Sequence, residues 1–307
     1  MAKDTQRLRI ALQKSGRLHE ESMAMFKLCG IRLSPGSRQL LYRSNEMPLD
    51  LLFIRDDDIP RFVAEGICDL GVVGENIYWE EKCSWDKRHP SPFQAAISEK
   101  LGFSHCRLSL AGPKEFVPLY EKQGSLALHG LTIATSYPAS LGHFLSQQGV
   151  QAEIVEMNGS VELAPKLRIA DLICDLISTG STLVANNLVE FHSFLKSEAV
   201  LLENHDSKDS WTEPKQACFA QLRTRLKSVL RARNSKYVMM NAPKDKIAEI
   251  SRLLPGMDSP TIIPLGDLEQ VAIHVVSVEP VVWETMEALK AAGAHSILIQ
   301  PIEKMLL

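Results

Sequence analysis

The stretch "DLICDLISTGSTLVANNL", residues 171 to 188, joins an apolar run that ends at Ile177 to a series of small, hydroxyl-bearing residues. An apolar run of this length, bounded by Asp171 and Ser178, predicts a buried strand. The small residues predict a turn, and a helix is expected to begin near Leu183. A strand, a turn and a helix in this order indicate an α/β fold.

The turn has the composition of a phosphate site. It contains Ser178, Thr179, Gly180, Ser181 and Thr182, whose hydroxyls and single glycine allow donors to face a ligand. The N-terminus of the following helix would favour an anion at the same place. The sequence has neither a Walker A pattern nor a Gly-x-Gly-x-x-Gly fingerprint. An ordinary strand-to-helix turn can have the same composition, so both interpretations stand at this point.

A carboxylate next to such a turn needs its own explanation. Asp175 precedes Ser178 by three residues. Its carboxylate would therefore lie about the width of a sugar from a phosphate held by the turn. A carboxylate repels phosphate but accepts hydrogen bonds from vicinal hydroxyls, each contributing roughly 1.5 to 3 kcal/mol. A ribose 5-phosphate fits both features, with the turn on its phosphate and Asp175 on its hydroxyls. Asp171 is interpreted as a solvated or capping carboxylate.

Short apolar runs alternate with amphipathic stretches on both sides of this segment. The pattern predicts two α/β lobes with a cleft between them: residues 1–104 with 188–232 form one lobe, and residues 105–187 form the other. A helix is expected over residues 161–169. Residues 233–307 have the order strand, helix, strand, strand, helix, strand, with the second helix from Pro280, which is typical of a ferredoxin-like domain.

The overall composition excludes several classes of protein. The 307 residues include 34 basic and 37 acidic ones, with no basic stripe that would favour a nucleic acid or a membrane surface. The apolar runs are shorter than the roughly 18 residues that span a bilayer, and the start lacks a signal-peptide core. We therefore expect a soluble, cytoplasmic protein. The six cysteines include no Cys-x-x-Cys pair, so neither a disulfide framework nor a zinc site is indicated.

Basic residues follow two of the predicted strands in the first lobe. Lys14 and Arg17 flank Gly16 at a strand-to-helix turn, where open α/β sheets bind ligands. These cations either hold a pyrophosphate or form a solvated basic turn. Arg55 ends a later strand and is a candidate anion ligand, whereas Asp58 before Ile59-Pro60 is expected to cap a helix.

A planar base could be recognised near two other strand ends. Gly71 and Gly74 bracket a buried strand end and would let a flat ring approach the backbone. Tyr137 begins a predicted helix in the second lobe and is placed to stack on a purine.

Several motifs together resemble one enzyme family over residues 7 to 305. The stretches are "LRIALQKSGRL", "IRDDDIP", "CDLGVVGEN", "CRLSLA", "IATSYP", "NGSVELAP", "ADLICDLISTGSTL" and "GAHSILIQPIEKM". In order and spacing they resemble the long form of ATP phosphoribosyltransferase, the enzyme that opens histidine biosynthesis.

The resemblance implies a fold and a reaction. The catalytic lobes would have the type II periplasmic-binding-protein fold, followed by a C-terminal regulatory domain of the ferredoxin-like βαββαβ type. The reaction would join ATP and phosphoribosyl pyrophosphate to give N1-(5-phosphoribosyl)-ATP and pyrophosphate, with Mg²⁺ required. Histidine would inhibit by feedback, and the chains would assemble as dimers and hexamers.

The resemblance also implies roles for individual residues. Residues 178–182 would hold the 5-phosphate, Asp175 the ribose hydroxyls, and Glu162 would face the phosphoribosyl site. Lys14, Arg17 and Arg55 would lie near the pyrophosphate or the ATP phosphates. The residues expected around the nucleotide are Asp69, Leu70 and Tyr137.

Metal and regulatory ligands are less defined. Mg²⁺ is expected to be held mainly by substrate phosphates, and no protein ligand is assigned to it. Candidates for the histidine site are Asn241, Ser259, Pro260 and Thr261, which are equally compatible with ordinary strand and turn positions. Two rival functions are a two-lobed ligand-binding or sensor protein without catalysis, and a phosphoribosyltransferase for another base.

Overall fold

The chain forms two units in the computed structural model, which describes residues 6–32, 40–204, 211–267, 269–278 and 281–306. The larger unit comprises Met1–Ala24 and Arg32–Cys218. The smaller one comprises Met25–Ile31 and Phe219–Leu307.

The first sheet of the larger unit is built mainly from the N-terminal part of the chain. Its strands and the helices between them are β1 (Leu8–Gln13), α1 (Arg17–Leu28), β2 (Leu41–Arg43), β3 (Leu49–Ile54), α2 (Ile59–Ala64), β4 (Leu70–Gly74), α3 (Glu75–Arg88) and β5 (Ala95–Lys100). In β1 the side chains of Leu8, Ile10 and Leu12 are fully buried, and so is that of Ala11. Burial on both faces is typical of a central parallel strand that is covered by helices.

The second sheet follows along the chain. Its elements are β6 (Cys106–Pro113), α4 (Val117–Gln123), β7 (Thr132–Thr135), α5 (Pro138–Gln147), β8 (Glu153–Glu156), β9 (Leu172–Ile177), α6 (Ser181–Ala185) and β10 (Leu188–Ser197). The chain then enters β11 (Ala199–Asn204) and α7 (Glu213–Asn234). The predicted strand over 172–177 and the helix near Leu183 are both confirmed.

The two sheets have the same internal topology. In the described residues the first has the order β2-β3-β1-β4-β11-β5 and the second β10-β6-β9-β7-β8. If the edge strand β2 is left out, the first sheet has the parallel strands β3, β1 and β4, then the antiparallel strand β11, and then β5. The second sheet has the corresponding order, with the parallel strands β8, β7 and β9, then the antiparallel strand β6, and then β10. This is the order of the type II periplasmic-binding-protein fold, so the predicted fold class is confirmed.

The predicted lobe boundary at residue 188 is wrong for one strand. β10 pairs with β6 in the second sheet, and only β11 returns to the first. The reason is packing, since Phe191, Phe194 and Leu195 of β10 lie against the apolar cluster of the second lobe. The chain therefore changes lobe at Glu198 rather than at residue 188.

Two crossings connect the lobes, and they are bonded to each other. One is residues 101–105 and the other is Glu198 alone. The Glu198 carboxylate accepts a hydrogen bond from the N–H of Gly102 at 2.8 Å. Backbone hydrogen bonds also join Leu101 N–H to Ala199 O and Ala199 N–H to Phe103 O, both at 2.9 Å.

The helix expected over residues 161–169 is not formed. The chain makes a single 3-10 turn at Val161–Leu163 and then continues in turns. Ser160 and Arg168 at its ends have φ values of 54° and 57°. Pro165 gives the physical reason, because its missing N–H would remove a hydrogen bond from a helix that began at residue 161.

The smaller unit contains the predicted ferredoxin-like domain. Its elements are β12 (Lys236–Pro243), α8 (Ile247–Leu253), β13 (Thr261–Pro264), β14 (Gln270–Ser277), α9 (Trp283–Ala291) and β15 (His295–Pro301). Within the described residues the sheet has the order β13-β14-β12-β15, and every neighbouring pair is antiparallel. This is the split βαβ arrangement. Pro280, the expected start of the second helix, lies outside the described residues, and α9 begins at Trp283.

Two further features bear on the protein class. All six cysteines lie in the described ranges and are free thiols. None of the helices in the part of the chain that the structure describes has the length and apolar character needed to cross a membrane.

Candidate active site

The candidate site lies where the carboxyl end of β4 faces the carboxyl ends of β7 and β9. Asn76, in the first turn of α3 after β4, donates through Nδ2 to the hydroxyl of Tyr137 at 3.3 Å. Tyr137 follows β7 and precedes α5. Asn76 is itself fixed by Ser197, whose hydroxyl donates to Asn76 Oδ1 at 2.9 Å and accepts from its N–H at 3.0 Å. These contacts connect both lobes to one place.

Two carboxylates act electrostatically on Tyr137 at this contact. Burial raises the pKa of Tyr137 well above its usual range, and the negative charges of Asp175 and Asp56 raise it further. Tyr137 is therefore a neutral phenol at any physiological pH. Since Asp56 follows β3 and Asp175 lies in β9, the acids reach Tyr137 from both lobes.

The predicted phosphate turn has the expected geometry. Gly180 has φ +81° and is the N-cap of α6, which begins at Ser181. The first N–H groups of a helix have no acceptor within it, so those of α6 are available to an anion. The side chains of Ser178, Thr179, Ser181 and Thr182 are exposed, and the hydroxyls of Thr179 and Ser181 lie 3.2 Å apart.

Asp175 and Glu162 are brought to the same edge of the second sheet. Burial raises the pKa of the Asp175 carboxyl; the N–H of Leu176, which donates to Oδ1 at 2.7 Å, lowers it, and the charge of Glu162 raises it. The ionised carboxylate of Asp175 is thus disfavoured in the protein without a ligand. Hydroxyl donors from a sugar would favour it.

The sequence reasoning missed Arg107, which supports the phosphate turn from the neighbouring strand. Arg107 lies at the start of β6 and donates to both carboxylate oxygens of Glu190 in β10. Its Nη1 also donates to the backbone carbonyl of Ser178 at 3.3 Å. Glu190 is 83 residues from Arg107, so the ion pair could not be predicted from neighbouring residues. The only sequence signal for a role of Arg107 is its position inside the motif "CRLSLA".

A cavity of about 390 Å³ adjoins the phosphate turn at the crossings between the lobes. It is lined by Glu75, Lys100, His105, Cys106, Arg107, Ser178, Lys196, Ser197 and Glu198. Lys100 Nζ lies 3.0 Å from Glu75 and 3.8 Å from Glu198, so its charge is compensated. The exposed Lys196 and His105 add positive and titratable groups to the wall.

The predicted cations lie at the carboxyl edge of the first sheet. The N–H of Lys14 donates to the carbonyl of Ile54 at 2.8 Å, which joins the turns after β1 and β3. Arg17 lies 3.7 Å from Glu21, and Arg55 lies 3.5 Å from Asp57. The side chains of Arg17 and Arg55 are 72% and 80% exposed. Pairs this exposed are weak and can exchange for a ligand anion.

Asp69 and Leu70 are not at this edge, which corrects their expected place beside the nucleotide. They lie at the amino end of β4, where Asp69 Oδ2 accepts from the N–H of Arg9 at 2.8 Å. Asp69 also pairs with Lys215 at 2.6 Å, and the side chain of Leu70 is fully buried. The physical reason is the direction of β4, whose parallel neighbours place ligand turns only at its other end.

Gly71 and Gly74 serve packing rather than access for a flat ring. A Cβ on Gly71 would lie 2.5 Å from Ile59 and 2.9 Å from Val63, so the glycine lets α2 approach β4. A Cβ on Gly74 would lie 2.5 Å from Asn76 Oδ1. That space holds the amide that binds Tyr137.

The two capping interpretations have different outcomes. Asp171 accepts from the N–H of Thr132 at 2.9 Å, which confirms its interpretation as a capping carboxylate. Asp58 stands at the N-cap of α2 but makes no capping hydrogen bond with its side chain to any residue that the structure describes.

A second connection between the lobes was not foreseen. Glu80, on α3 of the first lobe, accepts hydrogen bonds from the N–H groups of Ala139 at 2.7 Å and Ser140 at 2.8 Å. These N–H groups belong to the first turn of α5 in the second lobe. A carboxylate at a helix N-terminus is stabilised both by the hydrogen bonds and by the helix dipole. Glu80 thus holds α5, and with it Tyr137, against the first lobe.

The regulatory candidates of the smaller unit do not converge. Asn241 lies on β12 opposite Ala272 of β14, and Ala272 pairs on its other side with Ile263 of β13. Thr261 pairs with His274, two residues farther along β14. At a strand spacing of about 4.8 Å, Asn241 and Thr261 are roughly 10 Å or more apart. Ser259 and Pro260 directly precede β13, so they lie on the side of Thr261.

We predict that Asp175→Asn raises the free energy of unfolding at neutral pH. Because the folded state raises the pKa of this carboxyl, ionising it costs stability above the folded-state pKa, and an amide has no such cost. The gain should vanish at a pH below both pKa values, where the carboxyl is protonated in either state. Urea denaturation across pH measures this; an equal effect at acidic and neutral pH would contradict it. Asp171→Asn is the matched control.

Glu80→Gln should destabilise the larger unit by about 1 to 2 kcal/mol, since a neutral amide has one acceptor oxygen and no charge to interact with the helix dipole. Hydrogen exchange at the Ala139 and Ser140 amides should accelerate. Glu81→Gln is the control, because Glu81 pairs with Arg88 on its own helix. Unchanged exchange at both amides would show that Glu80 does not hold α5.

Comparison with known proteins agrees with this geometry. The family model described as "HisG: ATP phosphoribosyltransferase" matches residues 55–228, and "HisG, C-terminal domain" matches residues 232–304. Among solved structures, the ATP phosphoribosyl transferase (HisG:HisZ) complex from Thermotoga maritima is 24% identical and has a TM-score of 0.57, covering 72% of this chain and 98% of that one. This likeness supports the fold.

Two binding proteins have weaker likenesses that add nothing to the fold argument. The alkanesulfonate-binding protein SsuA from Xanthomonas axonopodis is 13% identical, covers 71% of this chain and 72% of that one, and has a TM-score of 0.41. ArgBP from T. maritima is 14% identical, covers 73% and 91%, and has a TM-score of 0.42. The family match extends over more than half of the chain and includes the phosphate turn. The chain belongs to the ATP phosphoribosyltransferase family and is an enzyme of this type.

Proposed function

We propose that the enzyme transfers the 5-phosphoribosyl group of phosphoribosyl pyrophosphate to N1 of ATP, releasing pyrophosphate, as the first step of histidine biosynthesis. The observation that carries this proposal is the juxtaposition of an anion-binding turn and two carboxylates at one edge of the second sheet. The turn suits a phosphate, and the carboxylates suit sugar hydroxyls.

The phosphoribosyl group would bind through complementary donors and acceptors. The N–H groups of the first turn of α6 and the hydroxyls of residues 178–182 would donate to the 5-phosphate. Asp175 would accept from the 2- and 3-hydroxyls of the ribose, and Glu162 lies close enough for its charge to act on Asp175. The exposed hydroxyls leave the phosphate subsite open to solvent in the free enzyme.

The leaving pyrophosphate would be neutralised by groups from the first lobe. Lys14 and Arg17 lie at its carboxyl edge with exposed side chains. Mg²⁺ would supply further charge neutralisation at the leaving oxygen. Among the described residues no group of three or more His, Cys, Asp or Glu side chains could hold a metal ion. We propose that Mg²⁺ is held mainly by substrate phosphates, with Glu162 as the carboxylate beside them.

ATP would approach the ribose from the opposite face. Tyr137 offers a neutral aromatic ring at the junction of the lobes, and Arg55 offers a cation for the triphosphate. In-line attack by N1 of adenine on C1 needs no side-chain nucleophile and inverts C1, so positioning supplies much of the rate. Glu162 would favour positive charge on the ribose ring in the transition state.

Regulation would reside in the smaller unit. A ferredoxin-like domain that binds histidine can inhibit if its affinity differs between two conformations, with a coupling of roughly 1 to 3 kcal/mol. Because Asn241 and Thr261 lie on different strands separated by β14, the inhibitor would contact one of these two regions. We propose that the enzyme works as a homo-oligomer, with dimers and hexamers as its assemblies.

The central test is an assay with ATP and phosphoribosyl pyrophosphate, followed by ultraviolet absorbance. Wild type should form product, and Asp175→Ala should weaken binding of phosphoribosyl pyrophosphate about tenfold or more, since it removes charge-assisted hydrogen bonds. Asp171→Ala, which loses only the bond to Thr132, should bind the substrate normally. The absence of product from wild type, together with undiminished binding by Asp175→Ala, would reject the proposal.

Removal of residues 235–307 should abolish inhibition by histidine. The truncated chain keeps the larger unit and α7, which ends at Asn234. Circular dichroism and substrate binding establish that it is folded before inhibition is measured. A folded truncated enzyme that histidine inhibits at the same concentration would remove the regulatory role from this domain.

A further inference from the structure

The hydroxyl of Tyr137 acts only as an acceptor toward the residues that the structure describes. It accepts a hydrogen bond from Nδ2 of Asn76 at 3.3 Å. A phenol hydroxyl also has one hydrogen to donate, and none of the described residues accepts it. Tyr137 is partly exposed at the junction of the lobes. Its hydroxyl hydrogen is therefore available to a ligand.

The orientation of the Asn76 amide determines this polarity. Asn76 and Ser197 are both buried. Ser197 Oγ accepts from the backbone N–H of Asn76 at 3.0 Å, and it donates its own hydrogen to Oδ1 of Asn76 at 2.9 Å. The Cys106 thiol also lies beside Ser197, but sulfur is a weak acceptor and does not compete with a carbonyl oxygen for that hydrogen. Because Ser197 holds Oδ1, Asn76 presents Nδ2 to Tyr137.

The Asp175 carboxylate lies near this hydroxyl on the neighbouring strand. β7 and β9 are parallel with Thr135 opposite Cys174, so the residues that follow leave the sheet side by side, about 4.8 Å apart. The charge of Asp175 acts on the Tyr137 phenol, although no hydrogen bond joins these two described side chains. Among the described residues, the carboxylate accepts only from the N–H of Leu176, at 2.7 Å. One available donor and one available acceptor are thus close together without bonding to each other.

A ligand group that bonds to both must accept one hydrogen bond and donate another. A hydroxyl does both, whereas an ionised phosphate oxygen only accepts. We propose that the Tyr137 hydroxyl donates to a ribose hydroxyl whose own hydrogen is donated to Asp175, and that Asn76, held by Ser197, is the positioning residue that makes Tyr137 the donor. This inference rests on the proposed function, in which Asp175 binds the ribose. The contact uses the hydroxyl of Tyr137 and leaves its ring to the nucleotide.

The test measures the binding of two probes to the full-length protein by calorimetry in the presence of Mg²⁺. Phosphoribosyl pyrophosphate has the ribose hydroxyls, and inorganic pyrophosphate has none. Tyr137→Phe should weaken the binding of phosphoribosyl pyrophosphate about five-fold, the effect of one hydrogen bond, and leave that of pyrophosphate unchanged. Tyr120→Phe is the matched control, because it removes the hydroxyl of a tyrosine that packs against Phe191 in the same lobe. It should bind both probes as wild type does.

Asn76→Asp separates hydrogen-bond polarity from packing, since it keeps the shape of the side chain but replaces the donor Nδ2 with an acceptor oxygen. Tyr137 then donates to the new carboxylate, and its hydrogen is lost to the sugar. Asn76→Asp should weaken phosphoribosyl pyrophosphate at least as much as Tyr137→Phe. Adding Tyr137→Phe to Asn76→Asp should cause little further loss. If Asn76 served packing alone, the effects of the two substitutions would add.

The outcomes distinguish this inference from the proposed function. If wild type does not bind phosphoribosyl pyrophosphate, the proposed function and this inference fail together. If wild type binds it and Asp175→Ala weakens it, but Tyr137→Phe leaves it unchanged or weakens both probes equally, only this inference is overturned. Additive effects of Tyr137→Phe and Asn76→Asp would remove the positioning role of Asn76. Thermal unfolding establishes that each variant is folded before binding is measured.

Discussion

The exchange of strands between the two sheets is the constraint on which the site depends. β6 belongs to the second sheet although it follows β5 of the first, and β11 returns to the first sheet directly after β10. Each exchanged strand is antiparallel to its neighbours. Because the chain must leave each sheet at its carboxyl edge and enter the other there, these edges face each other. The turns after β1, β3, β4, β7 and β9 consequently share one cleft, whatever their separation along the chain.

Within that cleft the charges are arranged asymmetrically. The cations of the first lobe are exposed and weakly paired, whereas the acids near Tyr137 are partly buried. Burial makes the ionised form of Asp175 unfavourable until donors arrive. A ligand with both hydroxyls and phosphates would stabilise the ionised carboxylates through its hydroxyls and would pair with the exposed cations through its phosphates. In the proposed function, this pairing is the reason why acids lie beside a turn that suits a phosphate.

The features that sequence predicted well are local ones. The strand β9, the turn with Gly180 and the start of α6 follow from neighbouring residues, and the ferredoxin-like order follows from the rhythm of apolar runs. The misses depend on partners distant in sequence. Glu80 and Ala139 are 59 residues apart, and nothing near Glu80 indicates that it will cap a helix of the other lobe. The sequence of β10 predicts an extended segment but not the sheet to which it belongs. That sheet is determined by the packing of β10 against the second lobe.

Direction along a strand caused the other error. The motif that contains Asp69 also contains Gly74, but Asp69 directly precedes β4 and Gly74 ends it, so the two residues lie at opposite edges of the sheet. Asp69 lies at the amino end of β4 and bonds to Arg9 and Lys215. Gly74 lies at the carboxyl end, where its lack of a side chain leaves room for the amide of Asn76. A motif that is continuous in sequence can therefore serve structure at one end and lie beside the candidate site at the other.

The unequal connections between the lobes limit how the enzyme can admit its substrates. One linker is a single residue, Glu198, whose carboxylate holds the other linker at Gly102. The two linkers are short, and Glu80 of α3 forms a further connection between the lobes through its hydrogen bonds to the first turn of α5. A separation of the lobes along this flank would break both Glu80 hydrogen bonds. Any opening of the cleft that moves α5 away from α3 therefore costs two charge-assisted hydrogen bonds, whereas movements of side chains within the cleft leave these bonds intact.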